Sequence, residues 1–307
     1  MNKINKEKQS LRTINDDFLN IDSNLINNLS LDLVIADPPY FKVIGETWDY
    51  KHSTKSDYLA WCGKWLDIIS SKLRFGGSLY VFGYFRNLAP FLTLAESRGL
   101  ELRQQIIIDK GIKSVAGRKT STYRLFPTVT ESILFFTKDN KQIIKPLLKS
   151  RADELGLKSK EINEKLGVKS NGGGMWSIYT GKNMCEQFPT KATWDKLMKV
   201  LKMNLDYYKY AQTFTPIMGI TDVWTDIDFY SKNRIHPTEK PYKLIERLIL
   251  SSSNEGDLIL DPFSGSGITG IVSSQLRRKC VLCEIDEQYY IASMNRFTEM
   301  DIAYEKI

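Results

Sequence analysis

Apolar and polar positions alternate between two regimes along the chain. Short, nearly unbroken apolar runs stop at turn residues. "LDLVIA" ends at Asp37-Pro38-Pro39, "SLYVFG" follows Gly76-Gly77, and "LRQQIIID", "ESILFFTK", "DLILD" and "KCVLCEID" continue the series. Such runs predict strands buried on both faces. Between them apolar residues recur at helical spacing, as in Leu59, Leu66, Ile69 and Leu73, or Leu244, Ile245, Leu248 and Ile249. Strand, helix and strand in succession predict βαβ units. The fold class is α/β, with a doubly wound, mostly parallel sheet.

The pattern changes across 141–215, where Lys-rich helical pieces are interrupted by "NGGG". In "SKEINEKLGVKS" a short helix with Ile162 and Leu166 on one face is ended by Gly167. In "FPTKATWDKLMKVLKM" Thr190 can cap a helix whose Trp194, Leu197, Met198 and Leu201 form an apolar stripe. This organisation divides the chain into 1–140, an inserted, mainly helical 141–215, and 216–307, where α/β patterning returns. Two readings of the insert stay open: a small helical nucleic-acid reader of helix-turn-helix type, or a plain helical cap.

At 307 residues the chain can hold one large domain with an insert, and 43 Lys and Arg against 36 Asp and Glu leave a net charge of +7. Both signs are plentiful, so the excess is local. One concentration is the loop "KGIKSVAGRKTSTYR", whose Lys110, Lys113, Arg118, Lys119 and Arg124 suit phosphate contact. No apolar run approaches the roughly 18 residues of a membrane helix, and a soluble, cytoplasmic protein associated with the nucleoid is expected. Cys280 and Cys283 form a CxxC inside a strand-like run with no second ligand pair, so no metal site is expected.

Two motifs carry the chemistry. In "LDPFSGSGITG", Gly265, Gly267 and Gly270 make G-x-G-x-x-G between a strand and a helix, and Glu284 closes the next strand. The glycines let backbone approach a ligand and the acid can accept hydrogen bonds from a ribose. A dinucleotide fits this motif, and so does S-adenosylmethionine, which has the ribose without the pyrophosphate. The second motif, Asp37-Pro38-Pro39-Tyr40, lies at a strand's carboxyl end, where parallel sheets put ligands. An exocyclic nucleobase amine is a poor nucleophile because its lone pair is delocalised. Hydrogen bonds from its N–H groups to the Asp37 carboxylate and the Pro38 carbonyl would localise that pair, the prolines would aim the carbonyl, and Tyr40 would offer a face to a base taken out of its stack.

In these motifs and their order the chain resembles the amino-group DNA methyltransferases of the permuted β-class: "DPPY" first, a variable insert, then "HPTEKP" and "DPFSGSG". The resemblance covers nearly everything outside the insert. It implies a sheet of the S-adenosylmethionine-dependent methyltransferase type, with 141–215 as target-recognition region. Asp37, Pro38, Pro39 and Tyr40 match the catalytic tetrad. Asp261, Phe263, Ser264, Gly265, Ser266 and Gly267 match the cofactor loop, and Glu284 the ribose acid. His236, Thr238 and Lys240 match positions near the cofactor's methionine end, and Asp17 of "DDFL" one near its adenine. "DVW" at 222–224 also looks familiar, as packing. Ile108-Asp109-Lys110 stands where members often carry Trp-x-Lys, and Thr130-Glu131 where they carry His-Glu.

The implied activity is adenine-N6 methylation of double-stranded DNA, by base extrusion and direct in-line transfer with no covalent enzyme intermediate and no metal. Cytosine-N4 methylation is the alternative, since the Ser-headed tetrad is more typical there. The resemblance also leaves room for a cognate restriction endonuclease and a homodimer. Two other classes compete: a non-catalytic DNA-binding protein on the same scaffold, and a nicotinamide-dependent oxidoreductase resting on the glycine fingerprint, which leaves "DPPY" unexplained.

Overall fold

A computed structural model describes residues 11–41, 52–115, 124–167, 174–181, 187–230 and 239–307. The chain forms two compact units, one of Met1–Lys138 with Thr213–Ile307 and one of Asp139–Gln212.

In the first unit, strands β1 (Leu11–Ile14), β2 (Leu31–Ala36), β3 (Leu73–Gly83), β4 (Leu100–Asp109), β5 (Thr130–Lys138), β6 (Val223–Trp224), β7 (Leu258–Asp261), β8 (Lys279–Cys283) and β9 (Tyr304–Lys306) join in one sheet. Its order is β6-β4-β5-β3-β2-β7-β8-β1-β9. Every pairing is parallel except those of β5, which runs against both β3 and β4. Helices α1 (Lys55–Lys72) and α2 (Phe85–Glu96) cover one face; α7 (Tyr242–Ser252), α8 (Ile268–Gln275) and α9 (Glu287–Glu299) cover the other.

The continuous apolar runs follow from this double cover. Leu33 and Ile35 of β2 pack into the layer with Leu244, Leu248 and Phe297, while Val34 and Ala36 pack into the layer with Trp65, Leu66 and Phe91. Each such fully buried large side chain contributes about 1.5–3 kcal/mol. Helix α1 starts at a capping box, in which Thr54 Oγ1 accepts from Asp57 N–H and Asp57 accepts from Thr54 N–H.

Strand periodicity also disposes of the CxxC. Cys280 faces one layer and Cys283 the other, so their sulfurs cannot meet on one ligand. Burial pushes both thiols up. The "DVW" Trp224 is 5% exposed, with the Arg247 guanidinium 4.6 Å above its ring, a packing role as expected.

The second unit contains α3 (Lys141–Glu154), α4 (Ser159–Lys165), α5 (Gly174–Thr180) and α6 (Lys191–Val200) around its own core. Ile162 and Leu166 are buried, and Gly167 follows at φ 75°. Thr190 Oγ1 caps α6 by accepting from Thr193 N–H, and Trp194, Leu197, Met198 and Leu201 are buried, as their stripe predicts. Among the described residues no helix is long and apolar enough to cross a membrane.

Candidate active site

Parallel β2, β7, β8 and β1 all end at one edge of the sheet, and their ends supply a cavity of about 380 Å³. Asp37 to Tyr40 follow β2, Asp261 to Ser266 close β7, Glu284 follows β8, and Asp16 and Asp17 follow β1. The reversed direction of β5 brings its first residues, Thr130 and Glu131, to the same edge. There Ile108 pairs with Glu131 and Asp109 with Thr130, which places Lys110 beside them.

Here lies a hydrogen-bonded ionic cluster that sequence reasoning missed. The Lys240 ammonium is 2.8 Å from Asp37 Oδ2 and 2.9 Å from Glu131 Oε1, and lies 3.3 Å from the Tyr40 hydroxyl, to which it donates. Lys110 Nζ is 2.9 Å from Glu131 Oε2. The Tyr40 hydroxyl has one proton to share between Asp37 Oδ1 at 2.9 Å and Glu131 Oε1 at 2.7 Å. Two carboxylates thus face two ammoniums, and the cluster is neutral overall. Burial alone pushes the Glu131 carboxyl up, but Lys240, Lys110 and the Tyr40 hydrogen bond outweigh it and hold it down at about 2. For Asp37 burial wins: its carboxyl is raised, with Lys240 pulling down and the Glu131 charge pushing further up. The same two carboxylates overcome the burial of Lys240 and keep it protonated. Of the two carboxylates Glu131 is 2% exposed and Asp37 24%, so Asp37 is the one that an incoming group can reach.

Lys240 lines the cavity, and its three N–H donors go to Asp37, Glu131 and Tyr40. Lys110 is ion-paired to Glu131 and sits 5.1 Å above the Phe229 ring, rather than on an open phosphate-binding loop. The Tyr40 ring is 8% exposed and packs edge-on against Tyr84 at 5.6 Å, so its hydroxyl, more than its face, is engaged. Lys113 and Arg124 are exposed. Arg118, Lys119, His236 and Thr238 lie outside the described residues.

The glycine loop is built for close approach. Gly265, at φ +49°, has nothing within 4 Å of where a Cβ would stand, while a Cβ on Gly267, at φ +74°, would lie 2.6 Å from Phe297. The first glycine leaves room beside the cavity; the second lets α8 seat on α9. Glu284 accepts from Gly265 N–H at 2.6 Å and from Asp286 N–H at 2.9 Å, which aims its carboxylate at the cavity with lone pairs to spare. Burial raises its pKa. Asp17 also faces the cavity and caps a short 3₁₀ turn by accepting from Leu19 N–H. Phe18, Trp61 and Phe263 add apolar walls.

The charge of the lining discriminates between ligands. Asp16, Asp17, Asp37, Glu239, Asp261, Glu284 and Asp286 supply seven carboxyl groups, and Lys240, already paired, is the one Lys or Arg on the described wall. A pyrophosphate would face repulsion with no free cation to offset it. A nucleoside carrying positive charge on sulfur and nitrogen suits this wall, with Glu284 placed for its ribose.

The fold and site together define a doubly wound α/β protein that binds a nucleoside-like ligand at the carboxyl ends of its strands, beside a reachable carboxylate held by lysine. Comparison with known proteins narrows that class. The chain matches the N6_N4_Mtase family, DNA methylase, over residues 31–295, and it belongs to that family. It is 29% identical over 270 residues to the type II methyltransferase M1.MboII of Moraxella bovis, covering 86% of this chain and 88% of that protein. It is 26% identical over 276 residues to the DNA adenine methyltransferase YhdJ of Escherichia coli K12, covering 89% of this chain and 77% of that one. Among solved structures, TTHA0409 of Thermus thermophilus, complexed with S-adenosyl-L-methionine, superposes with a TM-score of 0.57 at 18% identity, over 97% of this chain and 99% of that one. The cytosine-N4-specific PvuII DNA methyltransferase does so at 0.52 and 17%, over 96% and 89%. These likenesses agree with the mostly parallel sheet.

Proposed function

We propose that the chain methylates the exocyclic N6 amine of adenine in double-stranded DNA, with S-adenosylmethionine as donor. The carrying observation is Asp37, the reachable carboxylate of the ionic cluster, on the wall of a cavity whose charge suits a cationic nucleoside. S-adenosylmethionine supplies an electrophilic methyl group on a sulfonium. Glu284, Asp17, Phe263 and the backbone of Ser264 to Ser266 are the residues placed to hold it.

The chain's own part is to make a delocalised amine nucleophilic. Asp37 accepts from one amine N–H and the Pro38 carbonyl from the other, drawing the lone pair toward the nitrogen. Among the described residues no backbone donor occupies that carbonyl. Lys240 and Tyr40 hold the Asp37 carboxylate in place, and Glu131 and Lys110 hold them in turn. The Asp head of the tetrad and the adenine relative support adenine over cytosine. The unit of Asp139–Gln212, with its exposed lysines and separate core, is the target reader under this reading.

Incubating unmethylated DNA with purified protein and labelled S-adenosylmethionine, then digesting to nucleosides, tests the base assignment. N6-methyladenine is expected. N4-methylcytosine in its place would reverse the choice of base, and saturable binding of NAD without binding of S-adenosylmethionine would overturn the donor.

A further inference from the structure

Charge is divided unevenly between the two units. Asp139–Gln212 carries fourteen Lys and Arg against eight Asp and Glu, so six of the chain's seven net positive charges belong to this unit. Its helices differ in what they show to solvent. Helix α5 has no charged residue. On α4 the exposed Lys160 and Lys165 are matched by the exposed Glu161 and Glu164. On α3 Lys141 and Lys145 are half-buried and already engaged, and Arg151 is taken by Glu154 and the Leu201 carbonyl. Helix α6 is the exception. Trp194, Leu197 and Met198 form its core side, while Ala192, Asp195, Lys196 and Lys199 are all exposed. At 3.6 residues per turn those four fall within an arc of about 100° directly opposite the core. Lys191 Nζ holds Asp195 Oδ1 at 2.7 Å, and among the described residues Lys196 and Lys199 have no ion-pair partner.

Solubility asks for no more than the balanced charges of α4. A stripe with two unpaired ammoniums, on the most cationic part of the chain, is complementary to a polyanion. Its side chains narrow the partner further. The major groove of DNA admits an α-helix, and a methyl group, a carboxylate and two ammoniums match a thymine methyl, a cytosine N4 amine and guanine O6 and N7 there. We infer that α6 lies in the major groove of the substrate duplex with Lys196 and Lys199 on base edges, and that this stripe sets part of the target sequence. The inference rests on the reading of the chain as a methylase of duplex DNA and narrows its target reader from a unit to one helix face.

The test starts from the motif that sequencing reads for wild type in a methylation-free host, and repeats the reading with Lys196→Ala and Lys199→Ala. A third protein, Lys160→Ala with Lys165→Ala, removes cations from α4 instead. Each α6 variant is expected to relax the motif at one or more positions. By fluorescence anisotropy it should bind a duplex carrying the motif roughly tenfold more weakly, with a smaller loss on a duplex lacking it. The α4 variant should keep the wild-type motif and the wild-type ratio between the two duplexes. Melting temperatures should match wild type throughout, because all four lysines are exposed. Equal losses on both duplexes with an unchanged motif would put Lys196 and Lys199 on phosphates and overturn the base-edge assignment. Wild-type behaviour of both α6 variants would make the stripe a solvated face, and a motif relaxed only in the α4 variant would move the reading to α4. If wild-type protein modifies no DNA and binds no duplex, the methylase reading fails first and takes this one with it.

Discussion

Asp37 and Asp261 sit at the carboxyl ends of the neighbouring strands β2 and β7, each followed by proline, and both line the same cavity. Their surroundings separate them. Asp37 is tied to an ammonium and a phenol hydroxyl while part of it stays open to the cavity. Asp261 is 5% exposed and accepts from Thr269 Oγ1–H at 2.6 Å and Phe263 N–H at 3.0 Å, bonds that shape the glycine loop. Among the described residues no cation reaches it, and burial pushes it up to about 7. Equivalent positions in the sheet thus yield one carboxylate open to an incoming group and one bound into a loop, and the difference is a lysine that arrives from another part of the chain.

The strongest way to break this contrast is Asp37→Ala. Methylation should fall by roughly 10³-fold, measured as kcat on DNA, with DNA binding largely retained, because the lost interaction stabilises the reacting amine. Equal loss of binding would place Asp37 in the DNA contact instead. Next come the residues that hold it. Lys240→Met leaves the buried Glu131 and the partly exposed Asp37 short of a cation and should cost about 3 kcal/mol of stability, read by denaturant unfolding. It also removes the charge that lowers the Asp37 pKa, so the acid limb of kcat should move to higher pH. Glu131→Gln removes a charge that raises that pKa, and the limb should move the other way. Shifts in the same direction would show that the cluster does not act through Asp37.

A smaller effect is expected at Asp261. Its carboxyl is raised from 3.8 to about 7 in the folded protein, so between those values the folded state holds a proton that the unfolded state has lost. Stability from this group is therefore complete below 3.8, declines as pH rises toward 7, and is flat above. Asp261→Asn should flatten that decline relative to wild type in melting curves across the window, with methylation little changed. A large loss of kcat would make Asp261 a second reactive carboxylate.

The two aspartates differed little in the sequence, since each ends an apolar run before proline. The α/β frame was readable because strands buried on both faces must be continuously apolar. What could not be read was the direction of β5: its apolar run is the same whichever way it points, yet only the antiparallel orientation brings Glu131 to the active edge, 91 residues along the chain from Tyr40. Lys240, 200 residues from Tyr40, is hidden for the same reason, its partners being set by strand register. One signal was present. A glutamate at the head of the buried strand "ESILFFTK" needs a cation, and Lys110 precedes it across the β4–β5 connection.

Methyl transfer to an amine of DNA within one sequence context is directly readable in cells. Single-molecule sequencing of DNA from a methylation-free host expressing the chain reads modified adenine and cytosine together. N6-methyladenine confined to one short motif, and absent with Asp37→Ala, is the predicted result. Unmodified DNA from cells containing folded wild-type protein would contradict it.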